Sequence, residues 1–421
     1  MGNLMTARKS AFGGDFLHQP ALTMLDRKGG LLPRIAGMDE HIDPAELGII
    51  LGVAGGDRGF HAAADIVTQT QDGMDINTLW DTYQRWLDSW NSARETLVNF
   101  FTYNTTASFE NVWQGGSQAD FEDATEFGEP VGARPTSTPA VMGFPFKWSD
   151  LAGRFTWQFL ANAPASQVDS FANMAMEADS RLVFLRVMRA LFSNVRGVNK
   201  EGQTTFPFYS GVAGDKPPTY KMTVFADSHN HFVTSGTATV TPANLEALIG
   251  LLEEHGYTKA NGYDSVVLVN KAQGNTIRNF RSVANGGTGL YDFVVAQGAP
   301  SFLIPTTMVT EGGRPPATVN GLTVIGSYGD ATIIQEDYIP AGYMVAIVTG
   351  GEQNLSNPLA FREHPTATLR GLRLVKGRNP DYPLIDSFYI RGCGVGVRHR
   401  GAGAVMQVST NPTYAIPAQY V

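Results

Sequence analysis

From Ser166 to Phe192 the chain runs without a glycine or a proline, in a sequence where glycine makes up 46 of 421 residues. Val168, Phe171, Ala175, Ala178, Leu182, Leu185 and Met188 recur along it at helical spacing and form one apolar stripe. Ser166 and Asp169 give a Ser-x-x-Asp pattern at its start, which predicts a capping box there. At 1.5 Å per residue this helix spans roughly 40 Å, longer than a compact domain requires, so it is expected to act as a beam across the subunit. Single cores stop growing near ~250–300 residues, so a chain of 421 residues is expected to pack as two or more regions.

A second helical pattern precedes the beam. Ile76, Leu79, Trp80, Tyr83, Trp86, Leu87, Trp90, Leu97 and Phe101 recur at spacings of three and four, with Asp75 placed to cap them. The spacing predicts one long amphipathic helix with an aromatic face. Its polar side carries Asp81, Asp88 and Glu95 rather than lysines, which favours packing on protein over lying on a membrane. Before it, residues 1 to about 70 are glycine-broken and read as an arm with one short helix near Pro44 to Val53.

Between the two helices, Glu122, Asp123, Glu126 and Glu129 precede Pro130, Pro135, Pro139 and Pro145, and then Phe146, Trp148, Phe155, Trp157 and Phe159 follow. Prolines are tolerated in an edge ribbon but not in a central strand, so residues from Asp120 to Leu160 read as a two-stranded excursion with a polar tip and an aromatic base. Isolated hairpins are marginal in water, so this one is expected to lie on another subunit.

After the beam, Tyr220 to Val240 alternates through Met222, Val224 and Phe232 like a strand. Thr241 and Pro242 open a helix with Leu245, Leu248, Ile249 and Leu252 on one face and Gly256 as its stop. Ser265 to Val269 is a short apolar strand, and a short helical piece follows from Asn275 to Phe280. Strands are then expected at Leu322 to Ile325, Ala331 to Gln335, Tyr343 to Val348, Gly371 to Val375, Ser387 to Ile390 and Ala404 to Val408. Helix, strand and helix within a short stretch indicate a sheet flanked by helices inside a mixed α+β chain.

The charge balance narrows function. A net charge of −8 lacks the electrostatic footprint of a dedicated nucleic-acid binder. The single cysteine, Cys393, excludes a disulfide framework and a multi-thiolate metal site. No basic-then-apolar leader opens the sequence and no run of ~18 apolar residues occurs, so neither a signal peptide nor a membrane span is expected.

No catalytic constellation stands out. His229 and His231 flank Asn230 at a spacing that suits two ligands on a strand face, with Asp227 alongside, but no third ligand is evident nearby. The favoured reading is therefore a polar face without metal. The letters His-Asn-His do not make the nuclease motif of that name, which spreads its residues over a strand–strand–helix unit. Gly392, Gly394 and Gly396 alternate like a strand rather than opening a helix, so close strand packing is favoured over phosphate binding. Arg362, Glu363, Arg370, Arg373, Lys376 and Arg378 form the largest positive concentration, and Glu122 and Glu126 of another copy are candidate partners for inter-subunit ion pairs.

Taken in order, His229-Asn230-His231, Thr241-Pro242-Ala243-Asn244-Leu245, Glu254-His255-Gly256-Tyr257, Ile339-Pro340-Ala341-Gly342-Tyr343, Arg362-Glu363-His364-Pro365, Tyr382-Pro383-Leu384-Ile385-Asp386 and Gly396-Val397-Arg398-His399-Arg400-Gly401 resemble major capsid proteins of tailed bacteriophages, most closely those of actinobacterial phages with the Hong Kong 97-type shell fold. The similarity covers about residues 120 to 421. It implies an α+β fold with an N-terminal arm and helical segment over 1–120, an E-loop over 121–160, a peripheral domain with the spine helix over 161–241, an axial domain over 242–350 and a return to the peripheral domain over 351–421.

The resemblance also implies a structural role without enzymatic activity, cofactor or metal. The chain is expected to form hexamers and pentamers of itself in an icosahedral head, with scaffolding, portal and decoration proteins as further partners, weak non-specific contact with packaged DNA and no membrane. Inter-subunit contacts are expected at Phe146, Lys147, Trp148, Trp157, Glu122, Glu126, Arg362, Glu363, Arg370 and Arg373. Some members of the family join an E-loop lysine to an asparagine of a neighbour. Lys147 has that position here, with Asn354, Asn357 and Asn379 as partners and Glu352 or Glu363 as the carboxylate. A solvated lysine is the favoured reading, hence a non-covalent shell. The alternatives are an encapsulin-like compartment and a soluble enzyme whose site the sequence does not reveal.

Overall fold

A computed structural model of the chain describes residues 69–92, 96–113, 139–297, 316–319, 322–376 and 384–421, with the single positions 123, 126 and 128. The expected arm helix near Pro44 to Val53 lies outside the described residues. In chain order the first elements are α1 (Ile76–Ser92), α2 (Thr96–Phe101), β1 (Thr102–Thr105), β2 (Phe109–Trp113), β3 (Pro139–Gly143), β4 (Lys147–Thr156), α3 (Trp157–Asn162) and α4 (Ala165–Phe192). Then come β5 (Gly197–Val198), β6 (Thr204–Thr205), β7 (Phe232–Thr234), α5 (Pro242–Glu253), β8 (Asp264–Val269), α6 (Lys271–Ile277), β9 (Phe293–Val295) and β10 (Thr318–Val319). The chain finishes with β11 (Leu322–Tyr328), β12 (Ala331–Gln335), β13 (Tyr343–Thr349), β14 (Leu359–Glu363), β15 (Leu372–Lys376), β16 (Leu384–Val397) and β17 (Gly403–Gln407). Among the described residues no helix is long and apolar enough to cross a membrane.

The chain divides into two units, each assembled from separated stretches. The first takes its described residues from 69–92, Asp150–Asp179 and Leu372–Ile390; the second comprises Ala93–Ser149, Ser180–Gly371 and Arg391–Val421. Helix α4 contributes its first part to one and its second part to the other.

In the second unit, strict alternation along the strands creates two cores on the two faces of one sheet. Eight strands are ordered β10-β11-β12-β8-β13-β17-β7, with β9 beside β11. Val266 and Leu268 of β8, Val345 and Ile347 of β13 and Val405 of β17 share a core with Val183, Phe184, Val187, Met188, Leu191 and Phe192 of α4. Their neighbours Val267, Val269, Met344, Ala346, Ala404 and Met406 share the opposite core with Leu245, Leu248, Ile249 and Leu252 of α5. The result is helix, sheet, helix, in which α5 belongs to the helix-flanked module expected from the sequence and the second part of α4, read there as a beam, covers the other face. Thr241 and Asn244 form a capping box at the start of α5, and Gly256 takes a φ of 87° beyond its end.

In the first unit, Ile76, Leu79, Trp80, Tyr83 and Leu87 of α1 bury against Phe155, Leu160, Val168, Ala172, Ala175, Leu372 and Tyr389. Asp75 caps α1 by accepting from the Asn77 amide at 2.7 Å. Asn91 ties α1 to β15 twice, donating to the Leu372 carbonyl at 2.8 Å and accepting from the Leu372 amide at 2.7 Å.

The helix expected from Ile76 to Phe101 is described as α1 and α2, and residues 93–95 between them lie outside the described residues. Two sequence expectations change. The cap expected from Ser166 and Asp169 does not form: α4 starts at Ala165, whose amide donates to the Asp72 carboxylate at 3.1 Å, and Asp169 instead accepts from the Tyr83 hydroxyl at 2.5 Å. A distant carboxylate already held beside the helix start supplies the cap, which no local pattern reveals. The strand expected over Tyr220 to Val240 is only β7, because Lys221 turns the chain at a φ of 51° and leaves Met222 89% exposed.

On β16, Gly392, Gly394 and Gly396 share one face, while Cys393, Val395 and Val397 are buried on the other in the core with α4. The bare face lets backbone lie directly on the strand. A Cβ on Gly394 would meet the Pro145 carbonyl oxygen at 1.8 Å, one on Gly396 the Phe144 ring at 2.8 Å and one on Gly392 the rings of Trp148 and Phe146 at 2.6 and 2.7 Å. Gly394→Ala is therefore expected to destabilise the protein by about 1–3 kcal/mol through overpacking. Gly250→Ala, inside α5 where an added Cβ meets nothing within 4 Å, should stabilise it by up to ~1 kcal/mol. Denaturant midpoints of the two variants check this; equal stabilities would contradict the packing.

Candidate functional site

The face laid bare by these glycines seats the base of the ribbon. β2 and β3 pair antiparallel from Phe109 opposite Gly143 to Trp113 opposite Pro139, so the ribbon's first strand lies before Asp120, where the sequence places the start of the excursion. Beyond β3, Phe144 is fully buried with Tyr103, Met142 and Ala360. Phe146 and Trp148 then meet edge to face with centroids 5.3 Å apart, and His364 lies 6.2 and 5.7 Å from them. Trp148 remains 43% exposed, which a ring facing outward from this seat requires.

Arg362 fastens the seat from below. It sits on β14, which pairs antiparallel with β16 and parallel with β1. Its guanidinium lies 5.4 Å from the centre of the Phe146 ring, donates to the Phe144 carbonyl at 2.8 Å and forks onto Glu201. That bidentate contact holds the Glu201 carboxyl below its usual range. The chain thus provides Arg362 with an acidic partner of its own, outside the Glu122 to Glu129 stretch that the sequence suggests.

The structure brings Phe146, Trp148 and Arg362 together. Lys147, between the rings, is exposed, and Glu363 follows Arg362 on β14 half-buried. Arg370 is exposed and donates to the His364 and Pro365 carbonyls at 2.9 and 2.8 Å. Trp157, which opens α3, and Arg373 of β15 belong to the other unit, where Trp157 packs half-buried against its core. Glu126 is exposed in a turn; Glu122 and Asn379 lie outside the described residues. Asn357 is fully buried and saturated, donating to the Thr102 and Gly351 carbonyls at 3.0 and 2.9 Å and accepting from the Gly350 amide at 3.0 Å.

The reading of His229 and His231 as a pair lacking a third ligand is corrected. His255, just past α5, brings its Nε2 to 3.0 Å from the Nε2 of each, and Glu254 lies beside it. The sequence holds the signal in Glu254-His255, but only the close packing of α5 on the sheet reveals that these residues face the pair.

Neither the family models nor the curated proteins compared with the chain match it. Solved structures do. One of Mycobacterium phage Patience is 39% identical, with a TM-score of 0.69, over 87% of this chain and 97% of that one. The capsid asymmetric unit of cyanophage A-1(L) is 12% identical, with a TM-score of 0.45, over 75% of this chain and 93% of that one. The holo-SrpI encapsulin complex from Synechococcus elongatus is 12% identical, with a TM-score of 0.41, over 89% of this chain and 99% of that one. The last two are loose likenesses and decide nothing between a phage head and a compartment. Identity of 39% along nearly the whole of a phage structure, joined to the ordered run of motifs from His229 to Gly401, decides the family. The chain belongs to the phage major capsid proteins with the Hong Kong 97-type fold.

Proposed function

We infer that the chain joins copies of itself in hexameric and pentameric rings, and that these close into the icosahedral shell of a phage head around double-stranded DNA. The identity with the phage structure, 39% over 97% of that chain, carries this reading. Head-to-tail interfaces that close on themselves generate such rings. A net charge of −8 suits a container that must release its DNA, since tight phosphate contact requires a surplus of basic residues. Assembly inside the host cell, with scaffolding, portal and decoration proteins as transient or minor partners, completes the reading.

The ribbon and its aromatic base are the proposed clamp. Permanent assemblies bury upwards of ~2,000 Å² per contact, more than a short two-stranded ribbon offers alone. Trp148, Lys147 and Trp157, together with Glu122, Glu126, Glu363, Arg370 and Arg373, are the side chains proposed to meet a neighbour. Phe146 and Arg362 hold the base of the ribbon on its own sheet, through the ring contact and the Glu201 pair described above.

Trp148→Ala should lower the thermal midpoint of the isolated subunit by only a few degrees, through loss of its edge contact with Phe146. It should lower the denaturant concentration at which purified shells fall apart, since an aromatic anchor contributes ~2 kcal/mol or more at an interface. A destabilised subunit with shells of unchanged strength would place Trp148 in the subunit's own core. Lys147 is proposed to stay unlinked: boiled and reduced particles should give one band near 45.5 kDa on a denaturing gel. Ladders that vanish in Lys147→Ala would contradict this.

A further inference from the structure

Three imidazoles converge below the loop that precedes β7. The Nε2 atoms of His229, His231 and His255 lie 3.0 Å from one another in all three pairings. Their ring centroids are 5.0 Å apart in all three pairings. Nitrogens closer together than ring centres mean that every ring turns its Nε2 inward, toward one common point.

Hydrogen bonding within the trio does not account for that arrangement. His231 is fully buried, and its Nδ1 lies 2.7 Å from the Gly403 carbonyl oxygen, a contact in which only the ring can donate. Its one hydrogen is therefore on Nδ1, and its Nε2 presents a lone pair to the other two rings. A neutral ring carries a single hydrogen and directs it along one line, so three mutual contacts cannot all be satisfied by protons.

The surroundings hold the geometry. The His231 amide donates to the Tyr209 carbonyl at 2.8 Å, and its carbonyl accepts from the Val405 amide at 2.8 Å. The His255 ring is stacked between Phe225, 4.3 Å away, and Tyr209, 5.6 Å away. Glu254 brings Oε1 to 3.3 Å from His229 Nε2, and this buried oxygen has no hydrogen-bond partner among the described residues. The four ligand atoms all lie within 4.8 Å of one another. The nearby cation Arg400, over the Tyr209 ring, is forked onto Asp215, which offsets its charge.

We propose that His229, His231, His255 and Glu254 form a closed, structural binding site for a divalent transition-metal ion, with zinc the best fit. Three imidazole nitrogens and a carboxylate oxygen make a four-coordinate N/O set, and nitrogens bound at about 2.0–2.1 Å around tetrahedral zinc stand about 3.3 Å apart, a few tenths of an ångström beyond the spacing here. The hydrogen bond from His231 to Gly403 is the outer contact that fixes a ligating ring. With Glu254 in the fourth place, no position remains for a reacting water. The ion would tie the loop before β7 to the end of α5 and stiffen the second unit, independently of how subunits assemble.

The test starts from the full-length protein dialysed against a chelator and shown to be folded by circular dichroism. Adding zinc chloride should restore about one zinc per chain by mass spectrometric metal analysis after desalting, and should raise the thermal midpoint by several degrees, reversibly on renewed chelation. His255→Ala should lose the bound zinc. His229→Gln, at the least buried of the three rings, is the second variant in case the first does not fold, and should weaken zinc binding at least ~10-fold, the lower end of what even outer contacts contribute. Folded wild-type protein that retains less than about a tenth of an equivalent of zinc and melts at the same temperature with and without it would overturn the proposal. So would unchanged zinc binding in a folded His229→Gln variant.

Discussion

The bare face of β16 is the constraint on which the rest of the candidate assembly site depends. Alternation in a strand means that three glycines at every second position remove all side chains from one face without touching the other. Cys393, Val395 and Val397 can therefore fill the core with α4 while Phe144, Pro145 and Phe146 lie against the backbone on the opposite side. Arg362 then reaches the Phe144 carbonyl and the Phe146 ring from the adjacent strand. A single Cβ at Gly394 would occupy the space of the Pro145 carbonyl oxygen and lift this whole array.

Much of this architecture is legible in the sequence because it rests on local periodicity. The spacing of Leu245, Leu248, Ile249 and Leu252, with Thr241 as cap, gives α5 almost to its ends, and the apolar run Ser265 to Val269 gives β8. The beam is legible too, although its buried face shifts to Val183, Phe184 and Val187 in the second unit, leaving Leu182 and Leu185 half-buried. What periodicity misses are the partnerships made by tertiary packing. Asp72 caps α4 from another segment, Glu201 takes Arg362 from a turn between two short strands, and β14 hides in a stretch that reads first as a cluster of charges.

The histidines show the same division. The two-residue spacing of His229 and His231 marks a possible pair of ligands, but a third ligand at the end of a helix has no spacing rule to betray it. His255 joins them because α5 packs on the sheet face that carries Met344, Ala404 and Met406, while β7 lies beside β17 in the same sheet. A shell protein gains from such a tie, since its subunits must resist load without disulfides, and its one cysteine is buried. Tailed-phage shells are built from many copies of one chain, so a local stiffening is multiplied across the particle.

Cryo-electron microscopy of particles formed by the purified chain tests the central claim most directly. The account predicts a closed icosahedral shell of hexamers and pentamers, with Phe144 to Trp148 of every subunit lying on the glycine face of its own β16 and the outer edge of Trp148 against a neighbour. A preparation without closed particles, or a shell in which this segment stands away from β16, would contradict it.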